Sequence, residues 1–299
     1  MDGVVVVDKP QGPTSHDVVA RLRRALRTRE VGHAGTLDPM ATGVLVVAVG
    51  EATKLVPWLT AHDNEYLADV RFGVETDTLD ADGAPVRETP IPPEIAAEIR
   101  AGRGPRLDAA LDAERARARQ APPAFSAIKK GGRPAHELAR RGEVVELEER
   151  DVAVRAIDVV GGAEATLSVR IATAKGYYVR SLARDLGAAL GLGAHLVALR
   201  RIRSGPFGID EACPLDAPDL AARIVPMAAA AARALPALVL APDAVPHARA
   251  GRRVPLPDDA PEGPAAWLDA DGALVAIGAR VAGEAHGKVI RGFVARPGP

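Results

Sequence analysis

Gly32-His33-Ala34-Gly35-Thr36-Leu37-Asp38-Pro39-Met40-Ala41-Thr42-Gly43-Val44-Leu45 is the stretch on which the reading turns. Two glycines precede an Asp-Pro step, and a third stands before an apolar run over 44–49. That pattern describes a tight loop feeding a strand. Pro39 confines the backbone of Asp38 to extended conformations, so the carboxylate sits in a loop of largely fixed shape. For an arbitrary Asp-Pro step the ordinary alternative is an Asx turn, in which the side chain bonds only its own backbone.

Outward from the loop, the β-branched run 4–7 reads as a strand, which Gly12 and Pro13 end. Thr14 or Ser15 can cap a helix, and Val18, Leu22 and Leu26 give that helix one apolar face. Leu67, Asp69 and Arg71 alternate with Ala68, Val70 and Phe72, a half-buried strand pattern that recurs at Leu167, Val169 and Ile171. A helix over 181–190 follows, with Leu182, Leu186 and Leu190 on one face, which leaves Arg180 at a strand-to-helix junction. Strands outnumber helices without alternating regularly with them. The expected class is therefore α+β, with a mixed, largely antiparallel sheet flanked by helices.

Hydrophobic residues make up 47% of the 299 residues, enough for a sizeable core, but aromatic residues are only 3%. Lone tyrosines beside charged residues are thus candidates for function. The single cysteine, Cys213, excludes an internal disulfide and a cysteine-based zinc cluster, and it fits a reducing compartment such as the cytoplasm. The start MDGVVVVDKP lacks the basic region and long apolar stretch of a secretory leader, and no run of about 18 apolar residues suggests a membrane span. The net charge of -1 speaks against a nucleic-acid partner only weakly, because binding depends on where charges lie. Basic residues crowd three segments: Arg21, Arg23, Arg24, Arg27 and Arg29; Lys129, Lys130, Arg133, Arg140 and Arg141; and Arg200, Arg201 and Arg203. Each alone could be a solvated face, whereas three together favour a basic surface. Residues 90–120 read as peripheral helices, and 211–246 as terminal helices followed by a linker. The remainder, from about residue 246, reads as a small β module.

Six blocks, in order over residues 1–210, resemble the TruB family of pseudouridine synthases. The stretch 32–45 is similar to that family's catalytic motif almost residue by residue. Asp8-Lys9-Pro10-Gln11-Gly12 with Thr14-Ser15, Gly50-Glu51-Ala52-Thr53-Lys54, and Tyr66 followed by Phe72-Gly73 and the block 76–83 are similar to further motifs. So are Pro122-Pro123-Ala124-Phe125-Ser126-Ala127-Ile128-Lys129 and Lys175-Gly176-Tyr177-Tyr178-Val179-Arg180-Ser181-Leu182, the latter followed by Gly193-Ala194-His195-Leu196.

The resemblance implies a pseudouridine-synthase fold over 1–240 and a PUA-like RNA-binding domain over 246–299. It implies isomerisation of uridine to pseudouridine in the T-loop of tRNA by a cytoplasmic monomer, with no cofactor or metal and no membrane partner. It makes Asp38 the catalytic carboxylate and Arg180 its partner. Tyr66 stacks on the target base, Tyr178 lines the base pocket, His33 fills space that the flipped base vacates, and Lys9 shapes the site. Lys129, Lys130, Arg133, Arg141 and Arg200 are candidates for phosphate contacts. Competing readings are a similar synthase acting on another RNA and an RNA-folding chaperone. An Asp-dependent hydrolase would need a second carboxylate or a metal site that the sequence does not offer. The chain departs from the family pattern in three places: 99–119 is longer and richer in Arg and Ala, Tyr177 stands where Thr is usual, and Ala174 where Ser is common.

Overall fold

The computed structural model describes residues 1–126 and 128–294. Ala127 of the Pro-Pro block and the end of the C-terminal module, 295–299, lie outside the described residues. The chain divides into two compact units: residues 1–38, 43–62 and 204–299 in one, and 39–42 and 63–203 in the other.

In the first unit the run of valines forms the strand Gly3–Lys9, antiparallel to Thr42–Val49 in unbroken register from Gly3 opposite Val49 to Lys9 opposite Gly43. Val31–Ala34 pairs along the other edge of Thr42–Val49. Cys213–Pro214 adds to Gly3–Lys9 in parallel, which makes the sheet mixed. Val4, Val6, Val44, Val46 and Ala48 point one way into a shared apolar cluster, as the period of two requires. The helix Ser15–Ala25 begins where expected. Thr14 is its cap, with a capping box closed by Asp17, and Val18 and Leu22 are fully buried.

The second unit is antiparallel where its register is resolved: Val154–Ala163 pairs with Thr166–Thr173, which pairs with Asn64–Phe72. Tyr66, Ala68, Val70 and Phe72 are buried while Leu67 and Arg71 are exposed, so the alternation read from sequence holds. The helix Val179–Ala189 starts two residues earlier than expected and places Arg180 inside its first turn. Residues 90–120 do form helices, Pro93–Ala101 and Pro105–Arg115, but these are not peripheral. Ile95, Ile99, Leu107 and Leu111 are buried, because the Ala-rich composition hides an apolar stripe at helical spacing.

The C-terminal β module is present as a five-stranded sheet, and it differs from expectation at its start. Its first strand is Ala237–Val239, inside the stretch read as linker, pairing in parallel with Pro264–Leu268. Three residues after a proline are too few to carry a strand period. About 50 residues cannot bury a large core alone. Accordingly one face of this sheet packs its own cluster around Trp267, while Ala266, Leu274, Ile277 and Phe293 join the cluster of Val4, Val46 and the helix Met227–Ala234.

Candidate active site

In the first unit the loop that carries Asp38 is fastened one residue upstream. Ser15, 1% exposed, donates from Oγ to the Leu37 carbonyl (3.1 Å) and accepts the Leu37 N–H (2.9 Å). One hydroxyl thus satisfies both backbone polar groups of Leu37, as its donor and acceptor capacity allows. The Leu37 side chain is itself buried, so Asp38 leaves a point fixed by hydrogen bonds and packing alike. Thr14, not Ser15, is the helix cap, and that frees Ser15 for this contact. Gly35 and Gly43 turn the chain on either side of Asp38 with φ of +93° and +98°, values that side chains disfavour. His33 lies half-buried on the strand leading into the loop, its ring edge-on to His16 with centroids 5.3 Å apart. Lys9 is fully buried, opposite Gly43 in the sheet, and Nζ donates to the Pro10 carbonyl at 3.0 Å. That bond ties down the neighbouring backbone.

In the second unit Tyr66 is 8% exposed and lies opposite Ile171, on the strand that leads towards Tyr178 and Arg180. Tyr178 is the N-cap residue of Val179–Ala189. Arg180 is 6% exposed, and its guanidinium is gripped along its edges. Nη1 donates to the Thr78 carbonyl (3.1 Å), Nη2 to the Phe125 carbonyl (2.9 Å), and Nε lies 3.7 Å from Asp80 Oδ2. Asp80 is buried and bound in turn by the Thr78 hydroxyl (2.5 Å) and the Asp82 N–H (3.2 Å). The turn that presents these groups holds Leu79 at φ +63°. A non-glycine residue there costs on the order of 1 kcal/mol, offset by bonds from Leu79 N–H to Thr76 and from Leu196 N–H to Leu79.

The basic segments separate on inspection. Lys129–Lys130 and Arg133–Pro134 form a hairpin whose two-residue turn is Gly131-Gly132, at φ +59° and +83°. Positive φ at both central residues is the turn that matches strand twist, and glycine adopts it freely. Lys129, Lys130, Arg133, Arg140 and Arg141 are all exposed, as are Arg21, Arg23, Arg24, Arg27 and Arg29. The third cluster is not one surface. It lies on the strand Ala194–Ser204, where Arg201 is buried, Arg200 half-buried and Arg203 exposed, facing Glu65 at 3.4 Å.

A scan against family descriptions matches residues 23–179 to the TruB family pseudouridylate synthase N-terminal domain and residues 180–245 to the tRNA pseudouridylate synthase B C-terminal domain. The chain belongs to the TruB family of pseudouridylate synthases. The tRNA pseudouridine synthase B of Thermobifida fusca (strain YX) is 42% identical to this TruB chain, over 97% of the chain and 98% of the relative. That of Mycobacterium tuberculosis (strain ATCC 25618 / H37Rv) is 47% identical over 74% of the chain and 72% of the relative. Among solved structures, a Cbf5–Nop10–Gar1 complex matches at 26% identity with a TM-score of 0.72, covering 98% of this chain and 84% of that one. Its family makes the chain an isomerase.

Two departures from the TruB pattern prove to be partners. Tyr177 is buried and its hydroxyl donates to Glu114 Oε1 at 2.5 Å, from the helix in the lengthened segment. Glu114, 1% exposed, also accepts from Arg117 Nε at 2.6 Å, and Arg117 reaches Asp185 at 3.5 Å. Burial pushes the Glu114 carboxyl above its ordinary 4.5, although the Tyr177 and Arg117 bonds pull it down. Burial, and then the charge of Glu114, push the Tyr177 hydroxyl far above its ordinary value. A raised folded value means that the folded state holds the Glu114 proton more tightly than the unfolded chain. The stability this group contributes is therefore present below pH 4.5 and is lost as pH rises through the raised value. Glu114→Gln cannot ionise. Its melting temperature relative to wild type should climb as pH rises from 4.5, in thermal unfolding at several pH values. A constant difference, or a falling one, would mean that burial does not raise the Glu114 carboxyl.

Proposed function

We propose that this chain isomerises one uridine in the T-loop of tRNA, with Asp38 as the catalytic carboxylate. The observation that carries the reading is near full-length likeness to a relative named for tRNA, far closer than the likeness to the Cbf5 complex. The reaction breaks the bond from C1′ to N1, turns the base, and forms a bond from C1′ to C5. The proton leaves C5 and N1 gains one, so no atoms are gained or lost. This chemistry asks for a carboxylate at the anomeric carbon and base, held in place, in a pocket that admits a flipped nucleotide.

Asp38 supplies that carboxylate from a loop anchored at Leu37. Arg180 keeps Asp38 charged and oriented. Tyr66 stacks on the base, Tyr178 lines its pocket, His33 fills the space the base leaves in the RNA, and Lys9 holds the shape of the loop's base. The catalytic domain ends before Ala237–Val239, the first strand of the C-terminal module, and that module grips RNA away from the target. The enzyme works in the cytoplasm as a monomer on the T-arm. Unmodified tRNA transcript labelled with tritium at uridine C5, incubated without added cofactor, should release one tritium per tRNA. A transcript whose target uridine is replaced by cytidine should release none. Equal release from both would contradict the assignment of the T-loop.

The exposed hairpin 129–134 follows the phosphate backbone in this reading. Lys130 Nζ donates to the Glu146 carbonyl at 2.9 Å, a neutral acceptor that leaves its charge available to RNA. Replacing Lys129 and Lys130 together by Ala should weaken tRNA binding and flatten the log–log salt slope by roughly one to two. An unchanged slope would make the two lysines a solvated face only.

A further inference from the structure

We propose that Gln120 is a positioning residue for the base pocket: its side-chain amide holds the peptide of Tyr178, and with it the helix turn that carries Arg180. The inference rests on the roles of Tyr178 and Arg180 given above.

Gln120 is 1% exposed. Its Oε1 accepts the Tyr178 N–H at 2.9 Å, and its Nε2 donates to the Tyr178 carbonyl at 3.2 Å. The amide therefore pairs with both halves of one residue's backbone, as a neighbouring strand would. Tyr178 needs such a partner. It is the N-cap of Val179–Ala189, with extended φ of -105° and ψ of 111°, and its own side chain does not cap the helix. The Tyr178 carbonyl also takes the Leu182 N–H, the helix's own first bond, so the clamp and the helix meet on one atom. Holding that peptide sets where the tyrosine ring leaves the backbone and how the next turn begins.

The backbone beneath Gln120 is fixed as well. Arg119 and Gln120 pair antiparallel with Asp151 and Arg150, which aims the side chain inward. The chain around it repeats the attachment. The Ala121 carbonyl accepts from Ser181 Oγ at 3.0 Å and from Arg184 Nη2 at 3.1 Å, the Phe125 carbonyl accepts from Arg180, and Glu114 accepts from Tyr177. Residues 177, 178, 180, 181 and 184 are thus all tethered to the stretch 114–125. Among these tethers the Gln120 clamp is the one in which a side chain of 114–125 holds the backbone of 177–184, and it can be removed without changing Tyr178 or Arg180.

The test is single-turnover kinetics of Gln120→Met, which keeps the length and apolar stem but removes the amide. Unmodified tRNA transcript is the substrate and wild type is run alongside. The rate constant should fall between about 10-fold and 10²-fold, the range set by a misplacement near 1 Å, while tRNA affinity stays within about threefold. A purely structural role would lower the reacting fraction and leave the rate constant of the folded fraction unchanged, and that result overturns the proposal. So does a wild-type rate. Should the Met variant not fold, Gln120→Asn decides by the same criteria, since its amide is one methylene too short to meet both groups. Wild type that forms no pseudouridine would sink the functional reading itself. Active wild type with an indifferent Gln120 sinks only this inference.

Discussion

Asp38→Asn should abolish pseudouridine formation while tRNA still binds within about threefold of wild type. Asparagine keeps the size and one carbonyl oxygen but cannot carry charge. If the carboxylate acts on the sugar or base, the single-turnover rate should fall by roughly 10⁴-fold or more, as loss of a reacting group does in other enzymes. The loop should survive the change, because Ser15 fastens it at Leu37 through the backbone. Turnover near the wild-type rate in a folded variant would remove Asp38 from the mechanism.

Arg180→Lys separates charge from shape. In its own unit the guanidinium reaches two carbonyls, Thr78 and Phe125, with its two terminal nitrogens, and turns its third towards Asp80. These contacts fix the plane of the fork. Lysine restores one positive charge, but its ammonium cannot span both carbonyls and has no plane to fix. Complete truncation would leave Asp80 buried without its cation, at about 3–5 kcal/mol, so lysine is the variant that isolates catalysis from folding. We expect a loss of about 10²-fold in single-turnover rate, with tRNA affinity changed much less. A lysine variant at nearly the wild-type rate would show that only charge is needed.

Much of the fold was legible because its signals are local. Val4 to Val7, Ala68, Val70 and Phe72, and Leu167, Val169 and Ile171 announce their strands by alternation or by β-branching, and all are buried as those patterns require. The loop at Asp38 was legible for a similar reason, since glycines and a proline constrain the backbone whatever surrounds them. The contacts that fasten the site were not. Ser15 holds Leu37 across 22 residues, Gln120 holds Tyr178 across 58, and Arg180 meets Thr78 across 102. A side chain bonding a distant peptide leaves no period and no spacing to read. Asp80 stood in a recognised block, yet nothing local marks it as the carboxylate facing Arg180. Arg201 was misread as surface because it stands in a run of charges and the period of its strand does not mark it out, since Arg203, two residues on, is exposed. Tyr177 and the lengthened segment were each visible as oddities, and only the fold joins them through Glu114.

Mapping pseudouridine at single-nucleotide resolution tests the central claim most directly. An unmodified tRNA transcript is incubated with the full chain, without added cofactor, beside the Asp38→Asn variant. The account predicts one product, at the T-loop uridine, with wild type and none with the variant. No product with wild type, product at a uridine outside the T-loop, or equal product from both proteins would contradict it.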